Sequence, residues 1–197
     1  MGQYYKLVNL TKKEIYDPNS INGIKDKLVE MASDEKAMNS LVVLLANGNG
    51  RGGGDIYINT CDGDLPKKAE KFLPQEKESK ANYKTRLDGL GLKIDSSFKT
   101  SDKTCHLLIP KLSGTWAGDR IVVAGDYGDR GRFMPKRDLN PLEKTKVQKH
   151  YSDPDAYKTT KDIELYVFAE ANFKDITKDI TKQIDLVEST KYTIMMK

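Results

Sequence analysis

Two glycine-rich blocks hold the residues best placed to meet a ligand. In the first, Gly48-Asn-Gly-Arg-Gly-Gly-Gly-Asp55, five glycines in eight residues surround Asn49, Arg51 and Asp55. Glycines let backbone amides converge on an anion, which invites a phosphate-loop reading. The order of elements opposes it. A phosphate loop feeds a helix N-terminus and closes on Gly-Lys-Ser or Gly-Lys-Thr, whereas this block follows a predicted helix and has no such ending. Ordering five glycines still costs entropy that a plain connector would not incur. Asn49, Arg51, Gly52, Gly53 and Asp55 are therefore read as candidate ligand or partner contacts, against the simpler reading of a helix stop and close backbone crossing. The second block, Ser113-Gly-Thr-Trp-Ala-Gly118, brackets the chain's one tryptophan, Trp116, with glycines that leave it room to stand partly open. Asp119 and Arg120 follow it directly, and Asp126 and Tyr127 come just after the next strand; these complete the candidate set.

The stretch Ala124-Gly-Asp-Tyr-Gly-Asp-Arg-Gly131 resembles the Gly-Asp-x-x-Asp-Arg-Gly motif of calcineurin-like metallophosphoesterases, and Gly54-Asp-Ile-Tyr57 loosely resembles their earlier Gly-Asp-x-His-Gly motif. Under that resemblance Asp55 and Asp126 would bind metal, with Asp126 bridging two ions. Tyr57 stands where the histidine ligand belongs, no Gly-Asn-His-Glu follows, and the chain's two histidines, His106 and His150, cannot complete such a site. No catalytic residue, metal or cofactor is assigned. A simpler carboxylate site from Asp55, Asp119, Asp126 and Asp129 is kept as an alternative, a metal-dependent phosphohydrolase or nuclease; Asp126 and Asp129 serve equally well as turn formers. Cys105 and His106 are adjacent on a predicted strand, so their side chains take opposite faces and make no nucleophile–base pair.

Net charge is +4, and residues 67–103 alone, with ten basic residues against six acidic, account for that surplus. Nucleic-acid attraction, if the chain has it, is expected there, with Lys67, Lys68, Lys71, Lys80, Lys84 and Arg86 as the contacts. The interleaved signs favour a solvated surface instead, with Phe72 and Tyr83 as candidates to stack on bases.

The elements that must position these residues are legible in outline. Gln3–Leu10 and Glu14–Tyr16 read as a strand and its hairpin partner. Ala37, Met38, Leu41, Val42, Leu44 and Leu45 recur at helical spacing behind Ser33 as cap, which predicts a helix over about 34–46 lying across the sheet as the main core helix. Residues 62–104 read as an insertion with a short helix near Lys67–Leu73. Strands are predicted at Ile56–Ile58, Cys105–Ile109 and Arg120–Ala124. Residues 163–173 fit a helix better than a strand. The tandem Asp175-Ile-Thr-Lys178 and Asp179-Ile-Thr-Lys182 places Ile176, Ile180 and Ile184 on one helical stripe, and Tyr192–Met195 is a candidate last strand. The expected class is α+β, a mostly antiparallel sheet in a single domain of 197 residues, with the two glycine blocks converging at one sheet end.

No apolar run reaches the roughly 18 residues of a membrane helix, and the start lacks a signal-peptide core. Lys6 stands where myristoylation needs Ser or Thr. Two cysteines make no disulfide framework in a chain of this size, which fits a reducing cytoplasm. Three blocks, the opening Met-Gly-Gln-Tyr-Tyr-Lys-x-Val-Asn-Leu10, Leu44–Asp55 and Gly114–Tyr127, together resemble a protein family of phages and mobile elements of Gram-positive bacteria, one without an assigned activity. They cover about a fifth of the chain. In that family most of the charged segment is missing, which agrees with an insertion. The resemblance implies a context, a small accessory protein acting in the bacterial host cytoplasm by stoichiometric binding to a defence component in the anti-CRISPR manner. The partner would be a host protein, its nucleic acid or a nucleotide signal. The oligomeric state is left open, and a plain nucleic-acid-binding module is the remaining alternative.

Overall fold

The computed structural model describes residues 3–22, 27–46, 58–60, 71–94 and 106–191. In chain order its elements begin β1 (Tyr5–Asn9), β2 (Glu14–Tyr16), α1 (Asn19–Asn22), α2 (Leu28–Ser33), α3 (Glu35–Leu45), β3 (Ile58–Asn59), α4 (Lys80–Gly89) and β4 (Leu92–Ile94). They continue with β5 (Leu107–Pro110), β6 (Ile121–Gly125), α5 (Pro141–His150), α6 (Leu165–Asn172), β7 (Lys174–Asp175) and α7 (Thr177–Lys191). The class is α+β with mostly antiparallel pairing. The chain divides into two compact units, residues 1–39 with 118–178 and residues 40–117 with 179–197.

The first unit is built on the four-stranded sheet β6-β1-β2-β7, in which the short β7 runs parallel to β2. Strand alternation sends Lys6 and Val8 to one face of β1 and Leu7 to the other. Val8, Ile15 and Ala124 meet Val147 of α5 and Leu165, Val167 and Ala169 of α6 in a buried cluster. α6 is the helix packed on the sheet, and it resolves the 163–173 ambiguity in favour of helix. Helix 34–46 forms as predicted, but in two respects the expectation is corrected. Its cap is Asp34, whose Oδ1 accepts the Ala37 N–H at 2.6 Å, while the Ser33 hydroxyl closes α2 by donating to the Val29 and Glu30 carbonyls. It also straddles the division between the units and is not the sheet's covering helix. Periodicity reports that a helix has an apolar face, not which partner covers it.

The second unit carries the antiparallel sheet β3-β5-β4. Its core joins Ile58, Phe72, Tyr83, Leu87, Leu92, Leu108 and Val187. Residues 71–94, predicted to be part of a solvated insertion, therefore supply much of a hydrophobic core. Tyr83 donates to the Phe72 carbonyl at 2.9 Å, and burial pushes its hydroxyl pKa up to about 12. The helix predicted near Lys67–Leu73 falls largely, and the strand Tyr192–Met195 entirely, outside the described residues. Ile176, Ile180 and Ile184 are all buried, as the four-residue spacing predicts. No described helix is long and apolar enough to cross a membrane.

Candidate functional site

Asn49, Arg51, Gly52, Gly53 and Asp55 lie outside the described residues, and so does the expected convergence of the two glycine blocks. The root of the first block is described. The Gly114 N–H donates to the Val43 carbonyl at 2.9 Å and the Trp116 N–H to that of Leu44 at 2.8 Å, which satisfies carbonyls that the end of α3 would otherwise leave bare. Trp116 is fully buried, so the expectation of a half-open binding platform is corrected: the glycines around it tighten a turn onto a helix end and leave the indole no exposure. Gly114 sits at φ +73° with the Ala46 carbonyl oxygen 2.5 Å from where a Cβ would stand. A Gly114→Ala variant is expected to lose roughly 2–4 kcal/mol of stability, from the left-handed backbone and the clash together. Gly118, at φ +80° with open space around it, serves as the control and should lose less than half as much in the same thermal melts.

The aspartates do separate work. Asp119 Oδ2 accepts from Asn9 Nδ2 at 2.8 Å and faces Lys12 Nζ at 3.5 Å. Asp126 is buried and accepts the Tyr4 N–H at 2.9 Å, and Asp129 pairs with Arg132 on the surface at 3.0 Å. Among the described residues no three His, Cys, Asp or Glu side chains are grouped to hold a metal ion. Tyr127 is exposed.

Of the lysine-rich segment, Lys67 and Lys68 lie outside the described residues, whereas Lys71, Lys80 and Lys84 are exposed. Arg86 is committed: it reaches the Lys71 and Leu73 carbonyls and Glu78, whose carboxyl that hydrogen bond and the Gln75 N–H hold down at about 2. Phe72 and Tyr83, the aromatics expected to stack on bases, are core residues. Among its described residues that segment offers a few exposed lysines, and Phe72 and Tyr83 are not open for stacking.

Two cavities flank the two ends of β1. At its start a cavity of about 480 Å³ is lined by Lys6, Asp17, Asp126, Lys146, Tyr166 and Glu170, among others. Lys6 is buried with its ammonium 3.2 Å from Asp17, 3.1 Å from Glu170 and 4.1 Å from the centroid of the Tyr166 ring. Lys146 holds the second Glu170 oxygen at 2.8 Å. Burial pushes the Glu170 carboxyl up, and the bonds from Lys146 and Lys6 more than reverse it, so its pKa is lowered. Burial, with Asp17, Glu170 and Asp126 nearby, pushes the Tyr166 hydroxyl well above its usual range. Acids and bases here neutralise one another, and the network reads as scaffold.

The other cavity, about 680 Å³, has a different balance of charge. Its walls carry Lys13, Arg120, Arg132 and Arg137 with Phe133, Phe168 and Phe173, and no Asp or Glu among its described lining. The fold brings these together through three devices. The β1–β2 turn presents Lys13 at φ +56° while its carbonyl accepts the Lys174 N–H at 2.9 Å. The Arg120 carbonyl accepts the Leu10 N–H at 2.9 Å, fixing the chain at the entry to β6. Arg137 is gripped by the fully buried Glu143, with contacts of 2.7 and 2.6 Å, and lies over the Phe168 ring at 5.8 Å. The same hydrogen bond raises the Arg137 pKa. The three phenylalanines are half-buried, and Phe168 and Phe173 meet edge to face at 5.9 Å.

The structure thus brings Arg120 of the predicted set into a cavity whose other members the sequence reading passed over. Arg132, Phe133 and Arg137 lie in a stretch to which the sequence analysis assigns no element, and Phe168 and Phe173 fall in the predicted 163–173 helix. Their residue types carry the signal; the separation of Lys13 from Phe173 by most of the chain hides it. No family model, curated protein or solved structure matches the chain.

Proposed function

We propose that the chain is a stoichiometric binding protein of phage type that inhibits a component of bacterial host defence in the host cytoplasm, and that the component is recognised through its negative charge. The observation that carries this reading is the cavity at the Arg120 end of β1, where four cations and three phenylalanine rings line one space without a described carboxylate. Such walls attract an anion electrostatically and offer it apolar contact once it arrives. The alternative of a metal-dependent hydrolase finds less support, because Asp119, Asp126 and Asp129 are each engaged by a different partner. A nucleic-acid module led by residues 67–103 lacks exposed aromatics at Phe72 and Tyr83.

The test is expression in a Gram-positive host that carries an active defence system, scored by phage plating. Wild-type chain is expected to raise plating in proportion to its level. Arg120→Glu, which reverses charge at an exposed position, should abolish the rise while leaving the melting temperature unchanged. Equal protection lost or kept by both chains would remove the cavity from the explanation.

A further inference from the structure

We infer that the Arg120 cavity takes a nucleotide carrying two or more phosphates, its ring against the phenylalanines and its phosphates against Arg120 and Lys13. The inference rests on the reading of this cavity as an anion-recognition surface and narrows it to one ligand class.

Size is the first argument. About 680 Å³ falls inside the roughly 300–1,000 Å³ usual for small-molecule sites. A nucleic-acid strand would need a continuous track of charge and rings, whereas the described cations and rings here line one space of small-molecule size.

The division of labour among the cations is the second. Arg137 spends both terminal nitrogens on Glu143, so its guanidinium is a fixed plane over Phe168, suited to stacking and to a steady positive potential but not to chelating a phosphate. Arg120 and Lys13 have no side-chain ion pair or hydrogen bond among the described residues, and both are exposed. They are available to phosphate oxygens. Arg132 is held by Asp129 in a pair exposed on both sides, 66% and 71%, which is weak enough to exchange for a phosphate. Two free cations and a third releasable one match a ligand bearing two or more negative charges.

The rings are the third. Phe133, Phe168 and Phe173 keep part of their surface exposed beside these cations, where a free inorganic anion would leave them wet. A nucleobase covers such a surface, and every base has a face to offer. Donors and apolar groups dominate the wall, so base edges are read weakly. The cavity should accept several bases and favour purines for their larger area.

The experiment is calorimetry on the full chain at physiological salt with four probes: adenosine diphosphate, adenosine, inorganic pyrophosphate and a ten-nucleotide single-stranded DNA. The diphosphate is expected to bind at least roughly tenfold more tightly than pyrophosphate, the increment of one stacked base. It should bind tighter than adenosine by a similar factor or more. Arg120→Ala and Lys13→Ala should each weaken the diphosphate by roughly tenfold, in the range of a charge-assisted contact, without shifting the melting temperature. Phe133→Leu, which keeps an apolar side chain at a half-buried position, should weaken the diphosphate and leave pyrophosphate unchanged. Pyrophosphate binding as tightly as the diphosphate would overturn the nucleotide inference and leave the anion reading standing. DNA binding more tightly than the diphosphate, with the same dependence on Arg120, would overturn it in favour of a strand. Silence from all four probes would overturn the inference, and charge recognition at this cavity would fall with it only if Arg120→Glu also left phage plating unchanged.

Discussion

Replacing Lys6 with methionine is expected to lower the melting temperature by roughly 6–12 °C, the consequence of about 3 kcal/mol lost in a chain of this length. The side chain is 4% exposed and its ammonium stands between Asp17 and Glu170 at 3.2 and 3.1 Å. Methionine fills the space of the stem and removes the charge, so the two carboxylates lose the cation between them. Both are partly open to water, at 15% and 29% side-chain exposure, which places the expected loss at the lower end of the range for a broken buried pair. Lys146 continues to hold Glu170 and limits the damage to the Asp17 side. The double variant Lys6→Met with Asp17→Asn should therefore recover part of the loss. A Lys6→Met melt superimposable on wild type would show that the network contributes nothing net.

The second large effect belongs to Glu143. Glu143→Ala is expected to cost about 3–4 kcal/mol, because the carboxylate is fully buried and several groups depend on it at once. Its oxygens accept from Arg137, from the Asn140 N–H at 2.7 Å and from Asn172 Nδ2 at 2.7 Å. Asn140 in turn accepts the Glu143 N–H at 2.8 Å, so the same residue closes the reciprocal cap that starts α5. Burial pushes the Glu143 pKa up, and the bonds from Arg137, Asn140 and Asn172 outweigh it, leaving the value below the ordinary 4.5. A carboxyl with a depressed folded-state pKa stabilises the fold above its unfolded value, and that contribution disappears as pH falls from about 4.5 through the folded value. Wild-type stability should decline in that window, with Glu170 adding to the slope in the same direction. Glu143→Gln, which keeps the shape and cannot titrate, should show a shallower decline there. Denaturant midpoints measured between pH 3 and 7 would read the difference, and parallel curves for the two chains would exclude the linkage. Because Glu143 also orients Arg137 over Phe168, both variants should release that guanidinium from its fixed plane.

The hairpin of β1 and β2, the strand at β6, the helix at α3 and the burial of Ile180 and Ile184 on α7 follow from periodicity and turn residues, since backbone alternation and the 3.6-residue repeat are local properties. The α+β class follows from their sum. The charged segment misled because composition reports solvent affinity averaged over a stretch, while Phe72, Tyr83, Leu87 and Leu92 are spaced to bury one face of it. The same limit applies to Trp116, whose flanking glycines signal either openness or a tight turn, and the carbonyls at the end of α3 decide for the turn.

The sequence by itself determined the β1–β2 hairpin, the β6 strand, the α3 helix and the surplus of positive charge, because each depends on residue identity and short spacing. Tertiary structure alone decided which helix covers the sheet, which cations are paired among the described residues, and that Lys13, Arg120, Arg137 and Phe168 share one cavity. Those outcomes depend on strand register and on buried partners such as Glu143, which lie far apart along the chain and leave no local pattern to read.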